Sequence, residues 1–473
     1  MEASMISATN ATNAAHVTST TSAHTSAAPS AATADLKAAV SAAIDRRADE
    51  LIRIADDIYR HPELGFKEHR TAGIVSAFFE RLGLPHRDGL AITGVKARLR
   101  GGQPGPAVAV LGELDSLAVR EHPQADPATG AAHACGHNAQ IAMMLGVAAG
   151  LVDADVALHL AGDVVFFAVP AEEYVEIEYR EGLARAGKIE FLGGKPELIR
   201  LGELDDVQLA MMTHTSSNPD DGAIGMAESN NGCIVKLIRY TGKAAHAGGA
   251  PHKGVNALNA ATLALQAIHA QRETFRDQDT IRVHPIITRG GEIVNVVPAD
   301  VRLETFVRGK SIEAIEDANV KVDRALKAGA LAVGAQVAIQ TLPGYLPLRN
   351  DAALGRVFLE NAGQLVGAEQ VKQIGHRTGS TDMGDVTHIM PAIHPYAGGA
   401  EGTGHGADYH IADAQRAILN PAKAMAMTVL DLLAGGAARQ ILAESRPRFT
   451  KDEYLAFQRR INQMATFDGA AVS

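Results

Sequence analysis

Two carboxylates stand side by side in Pro170-Ala171-Glu172-Glu173, directly after a wholly apolar run at 164–169. Neighbouring carboxylates at the end of such a run are costly to bury without a cation or another partner. Left in solvent, they make an ordinary turn. Beside a metal ion they divide the work, because successive side chains of an extended segment face opposite sides. One glutamate binds the ion and the other faces its bound water. A dication lowers the pKa of that water steeply, and the free carboxylate takes up the proton and delivers it to a leaving nitrogen. This reading makes Glu172 the general base and acid, and Glu173 a metal ligand.

Further donors are spread along the chain. His133-Ala134-Cys135-Gly136-His137 sets a thiolate and an imidazole two positions apart, around a glycine that permits a tight backbone path. Such a pair can share one ion. Thiolate prefers softer ions and imidazole suits zinc, manganese or iron, so the pair alone does not choose the metal. His214 closes Met211-Met212-Thr213-His214, where a lone histidine is more often a satisfied structural residue than a ligand. The company of Cys135, His137 and Glu173 favours the ligand. Near the C-terminus, His405 lies within the glycine-rich Gly402-Thr403-Gly404-His405-Gly406, and is preferred to His410, which begins the more apolar His410-Ile411-Ala412. His246 sits among small residues in Lys243-Ala244-Ala245-His246-Ala247-Gly248-Gly249. A histidine on such a loop can donate a hydrogen bond to the oxyanion formed when hydroxide attacks an amide carbonyl. Arg308, after an apolar strand at 301–307, either clamps a substrate carboxylate or makes a surface salt bridge.

These residues need a scaffold that gathers them. Apolar runs at 107–111, 164–169 and 209–213 read as buried parallel strands, each ending in candidate chemistry. In open α/β sheets ligands collect beyond the carboxyl ends of the strands, which would bring distant residues to one edge. Asp35 is placed to cap a helix carrying apolar residues at three- and four-residue multiples as far as Ile58, and a second helix is expected at 71–82. From 232 to 342 the pattern becomes β-α-β-β-α-β, the order of a ferredoxin-like unit. The expected architecture is α/β: a mainly parallel-sheet catalytic domain at 35–221 and 343–440, and an inserted α+β lid at 222–342. A disordered tail at 1–34 and a C-terminal extension at 441–473 complete it, with hinges at 216–221 and 343–350.

Composition narrows the partners. A chain of 473 residues exceeds what one core usually serves. Its net charge of -10 disfavours nucleic acid and anionic membrane. No uninterrupted apolar run is long enough for a membrane span. Two cysteines, Cys135 and Cys233, are too few for a disulfide framework and fit a reducing compartment, so a cytoplasmic location is expected.

The pieces above, together with His61-Pro62-Glu63-Leu64, Gly112-Glu113-Leu114-Asp115-Ser116-Leu117, Asn295-Val296-Val297-Pro298 and Gly379-Ser380-Thr381-Asp382, resemble the aminoacylase and carboxypeptidase G group of di-metal amidohydrolases. Within it they are most similar to the aminobenzoyl-glutamate hydrolases and auxin-conjugate hydrolases. The resemblance runs in the family's order over residues 35–435. It implies two divalent ions, manganese or zinc, with Cys135 in place of a bridging carboxylate and His137, Glu173, His214 and His405 as the other ligands. It implies a lid that mediates homodimerisation and a lid histidine, here His246, that completes the partner's site. Asp115 matches a supporting acid near the metals, and Asn295 a substrate-binding position. Three departures stand out: Asn138-Ala139-Gln140 where an acid and a histidine are usual, Glu113 where aspartate is usual, and an insertion at 174–200 carrying Glu176, Glu178, Arg180 and Lys195.

The leading expectation is hydrolysis of the amide in a small N-acyl or N-aroyl amino acid, an aminobenzoyl-glutamate-like conjugate bearing a carboxylate. Hydrolytic removal of an amine from a small aromatic such as a nitroanthranilate uses the same activated water. A non-catalytic partner subunit is the third reading, and the intact Glu172 weighs against it.

Overall fold

The computed structural model describes residues 31–471. At its centre is a six-stranded sheet in the order His86–Leu90, Gly94–Leu99, Val164–Val169, Val108–Glu113, Leu209–Met211, Ala392–Ile393. The last four strands of that order run parallel and the first two antiparallel. Strands covered on both faces must be apolar throughout. Val108–Glu113 and Val164–Val169 are accordingly buried at every position. Val164, Phe166 and Ala168 face one core, and Val165, Phe167 and Val169 the other.

The helices that close the first core include Ala31–Arg46, Ala48–Arg60, His137–Asp153 and Asn420–Leu433. His137–Asp153 is buried on every side, as a helix apolar all round must be. The single helix expected from Asp35 is instead two. The first spans Ala31–Arg46 from the start of the described residues, and Asp35 is exposed within it and caps nothing. Residues 1–30 of the expected tail lie outside the described residues.

The lid sheet runs Arg282–Val283, Asp300–Gly309, Gly232–Thr241, Gln336–Pro343, Gln463–Asp468, all antiparallel, with Ile286–Arg289 also paired to Asp300–Gly309. Helices Ala257–Gln271 and Ile312–Val333 cover it. Its first four positions have the ferredoxin-like order; the fifth strand comes from the C-terminal extension, which reaches it through the helix Lys451–Ile461. The strand of that extension therefore belongs to the lid sheet, while its helix packs through Tyr454 and Leu455 on the second core and bonds Asp385. The strand covers the Gln336–Pro343 edge, whose unpaired amides would otherwise lie open.

The chain also crosses between domains later than expected. Ile224–Ala227 pairs with Val371–Ile374 and Tyr396–Ala397 in the catalytic body. The crossing strands are Ser229–Asn230 and Leu348–Arg349, which pair with each other.

Candidate metal centre

The carboxyl ends of the parallel strands bring the donors together. Val108–Glu113 and Val164–Val169 are in register with Glu113 opposite Val169, so Glu113, Asp115, Glu172 and Glu173 leave the sheet side by side. Opposite them, Gly136 starts the helix His137–Asp153 with φ of 97°, where a Cβ would lie 2.0 Å from Thr215 Oγ1. Only glycine fits that crossing, and it sets Cys135 and His137 toward the strand ends.

Three groups of donors result, each with its ligand atoms within 4.8 Å of one another: Cys135, His137 and His214; Cys135, Glu173 and His405; and Glu113, His137 and Glu172. Cys135 belongs to the first two. Its Sγ is 3.2 Å from His214 Nε2, and His405 Nε2 is 3.5 Å from Glu173 Oε1. His405 takes a left-handed backbone, φ 63°, and donates its amide to Ala134 O at 2.8 Å. His410 points its Nδ1 at Asp408 O instead and joins none of the groups.

A metal fits this donor set. Glu113 Oε2, His137 Nε2 and Glu173 Oε1 are buried without a hydrogen-bond partner among the described residues, although each is turned toward other donors. Buried polar atoms are nearly always partnered, and a cation supplies what these lack. The remaining ligand atoms are held from behind. His137 Nδ1 donates to Asp115 O at 2.9 Å and His214 Nδ1 to Thr215 O at 2.7 Å, which turns each Nε2 toward the other donors. Asp115 Oδ2 accepts the Glu173 amide at 2.9 Å, so Asp115 braces two of the donors and joins none of the three groups.

Electrostatics mark the same place. Burial pushes the Glu172 carboxyl well above the usual carboxylate range, and Glu113 and Glu173 add to it. Burial lowers His214 to about 4 and keeps it neutral, the form in which an imidazole can bind a metal. Burial alone would raise Glu113, but Lys195, helped by His137, holds it low.

The insertion at 174–200 is part of this centre. It forms the helices Ile177–Arg185 and Gly194–Leu201. Arg180 is buried and donates to the main-chain oxygens of Glu173 and Leu192. Lys195, also buried, pairs with Glu113 at 2.6 Å and with Asp382. Neither contact was assigned from sequence. Glu113 carries the same signal as Glu172, an acid closing an all-apolar strand.

The lid residues stand apart from the donors. His246 is exposed, and its Nδ1 accepts from the amides of Gly248 and Gly249 in its own loop. Asn295 is exposed next to it, its main-chain oxygen accepting from Ala247. Arg308 Nη1 donates to Ser380 Oγ at 2.8 Å, and Arg308 forms no ion pair among the described residues. The surface salt bridge entertained for it is therefore not seen. A cavity of about 600 Å³ between insertion and lid is lined by Tyr174, Ile177, Phe306 and Arg308 among others.

Comparison with known proteins agrees. Residues 231–333 match the family model of a peptidase dimerisation domain. Mouse Xaa-Arg dipeptidase is 30% identical over 423 residues, covering 84% of this chain and 89% of the relative. The N-acyl-L-amino acid amidohydrolase of Geobacillus stearothermophilus is 27% identical, covering 66% of this chain and 81% of the relative. A Bacillus subtilis protein described as a dinuclear metal-binding peptidase of the M20 family shares the fold, with a TM-score of 0.60, 22% identity and coverage of 82% of this chain and 99% of that one. With its α/β body, inserted lid and kinship to such hydrolases over 84% of its length, the chain belongs to the M20 family of peptidases and amidohydrolases, enzymes that cleave amide bonds.

Proposed function

We propose that the chain hydrolyses the amide joining an acyl or aroyl group to an amino acid, at a centre where Cys135, His137, His214, Glu173 and His405 hold two zinc or manganese ions. The sharing of Cys135 by two donor groups carries this reading, because one thiolate in both groups is what a bridge between two ions requires. When bound, such ions polarise the amide carbonyl and acidify a water.

The protein's own residues do the rest. The Glu172 carboxylate groups with Glu113 and His137 and stands 4.0 Å from His137 Nε2, next to the five ligands and placed to move a proton. It takes the proton from water and passes it to the leaving nitrogen. His246 accepts two amides at Nδ1, so its neutral ring carries the proton on Nε2, ready to donate to an oxyanion. Its side-chain hydrogen bonds lie in its own loop, which suits a homodimer in which each lid serves the partner's centre. Arg308, with Asn295, receives the substrate carboxylate. The two free cysteines suit a cytoplasmic location.

The test uses protein stripped by a chelator and reloaded separately with zinc and manganese. It is given N-acyl and N-aroyl amino acids, dipeptides and anthranilates, and released amino acid and ammonia are quantified apart. Amino acid release is expected. Ammonia from an anthranilate alone transfers the function to deamination, and silence in both channels removes the reading.

A further inference from the structure

Glu113 ends the strand Val108–Glu113 with its two oxygens engaged differently. Oε1 accepts from Lys195 Nζ at 2.6 Å. Oε2 lies 3.0 Å from His137 Nε2, yet both atoms are without a hydrogen-bond partner. They are close enough for a hydrogen bond and not aligned for one. Two donors to a common ion stand in this relationship: with metal–ligand bonds of about 2.0–2.2 Å, adjacent ligand atoms fall about 3 Å apart.

We propose that Glu113 is a further ligand of the ion held by Cys135, His137 and His214, and that Lys195 is the positioning residue that presents it. The proposal rests on the two-ion reading above. Lys195 is fully buried and comes from the insertion at 174–200. Its amide and ammonium both bind Asp382, which anchors it from the far side. With Oε1 occupied by the ammonium, Glu113 offers only Oε2, as a monodentate ligand on the His137 side. A buried lysine in contact with two carboxylates leaves one negative charge uncompensated, and Glu172 stands close by. That surplus adds to the attraction for a cation at His137.

The decisive measurement is made on the unmutated full chain. Crystals loaded with manganese, with diffraction recorded at the manganese absorption edge, give the distance from Glu113 Oε2 to each ion. An ion on His137 within about 2.3 Å of Glu113 Oε2 is expected. An ion bound by Cys135, His137 and His214 with Glu113 Oε2 more than about 3 Å away overturns the proposal and leaves the two-ion reading intact. No ion at any of these residues overturns both. In solution, titration against a chromophoric chelator should show Glu113→Gln and Lys195→Met weakening one of the two ions by about 10–100-fold while the other is unchanged. Unaltered affinity for both ions in Glu113→Gln, with an unaltered melting temperature, also overturns it.

Discussion

Arg180 reaches from the insertion to donate a hydrogen bond to the main-chain oxygen of Glu173, fixing the backbone of a proposed metal ligand from a segment that the parallel sheet does not need. The same guanidinium binds Leu192 O at 2.8 Å and lies over the rings of Phe66 and Tyr174. Arg180→Met should leave buried carbonyls unpaired, at about 1–3 kcal/mol each. Urea unfolding should show a lower midpoint with unchanged slope, together with weaker metal retention on dialysis. A variant as stable as the parent would mean that Arg180 only fills space.

Glu172 and Cys135 are separable by metal content. Glu172→Gln keeps the donors and loses the proton carrier, so turnover should fall by about 10²–10⁴-fold with both ions still bound. Cys135→Ala removes the atom common to two donor groups, and elemental analysis should find less than the parent's metal. Wild-type turnover in Glu172→Gln refutes the base, and full metal content in Cys135→Ala refutes the bridge.

Gly136 is the backbone joint between these ligands. Gly136→Ala puts a Cβ 2.0 Å from Thr215 Oγ1 and forces a side chain into φ of 97°. Strain of about 1–3 kcal/mol at the joint should lower the melting temperature and release metal together. A variant that binds metal like the parent would show that the loop adapts.

His246 offers a test of the shared site. His246→Ala should lower kcat more than it raises KM, since an oxyanion donor acts in the transition state. Mixing His246→Ala with Glu172→Gln, each nearly inactive, should restore part of the activity if the lid serves its partner. No recovery in a mixture proven to exchange subunits places His246 in its own chain's site or outside catalysis.

Much of this was legible in the chain. Runs 164–169 and 107–111 read as strands because burial on both faces leaves only apolar residues, and both are strands. The lid's β-α-β-β-α-β order also stands, and its long helix, expected from Ile312, begins there with the Ser311 side chain capping it. What escaped were pairings between remote segments. His86–Leu90 is polar and exposed along its middle, so nothing in its composition announces a strand. Gln463–Asp468 is a strand only because Gln336–Pro343 offers it an edge.

The chain by itself determined the donors: a thiolate and an imidazole around a glycine, paired glutamates after an apolar strand, and histidines on two further segments. Residue type and local spacing suffice for that, since each ligand's chemistry resides in its own side chain. Only the tertiary structure decided that Cys135 stands in two groups, that His405 and not His410 faces Glu173, and that Lys195 holds Glu113. Those facts are distances of a few ångströms between residues tens to hundreds of positions apart. They follow from strand order and from where an inserted segment packs, neither of which local sequence encodes.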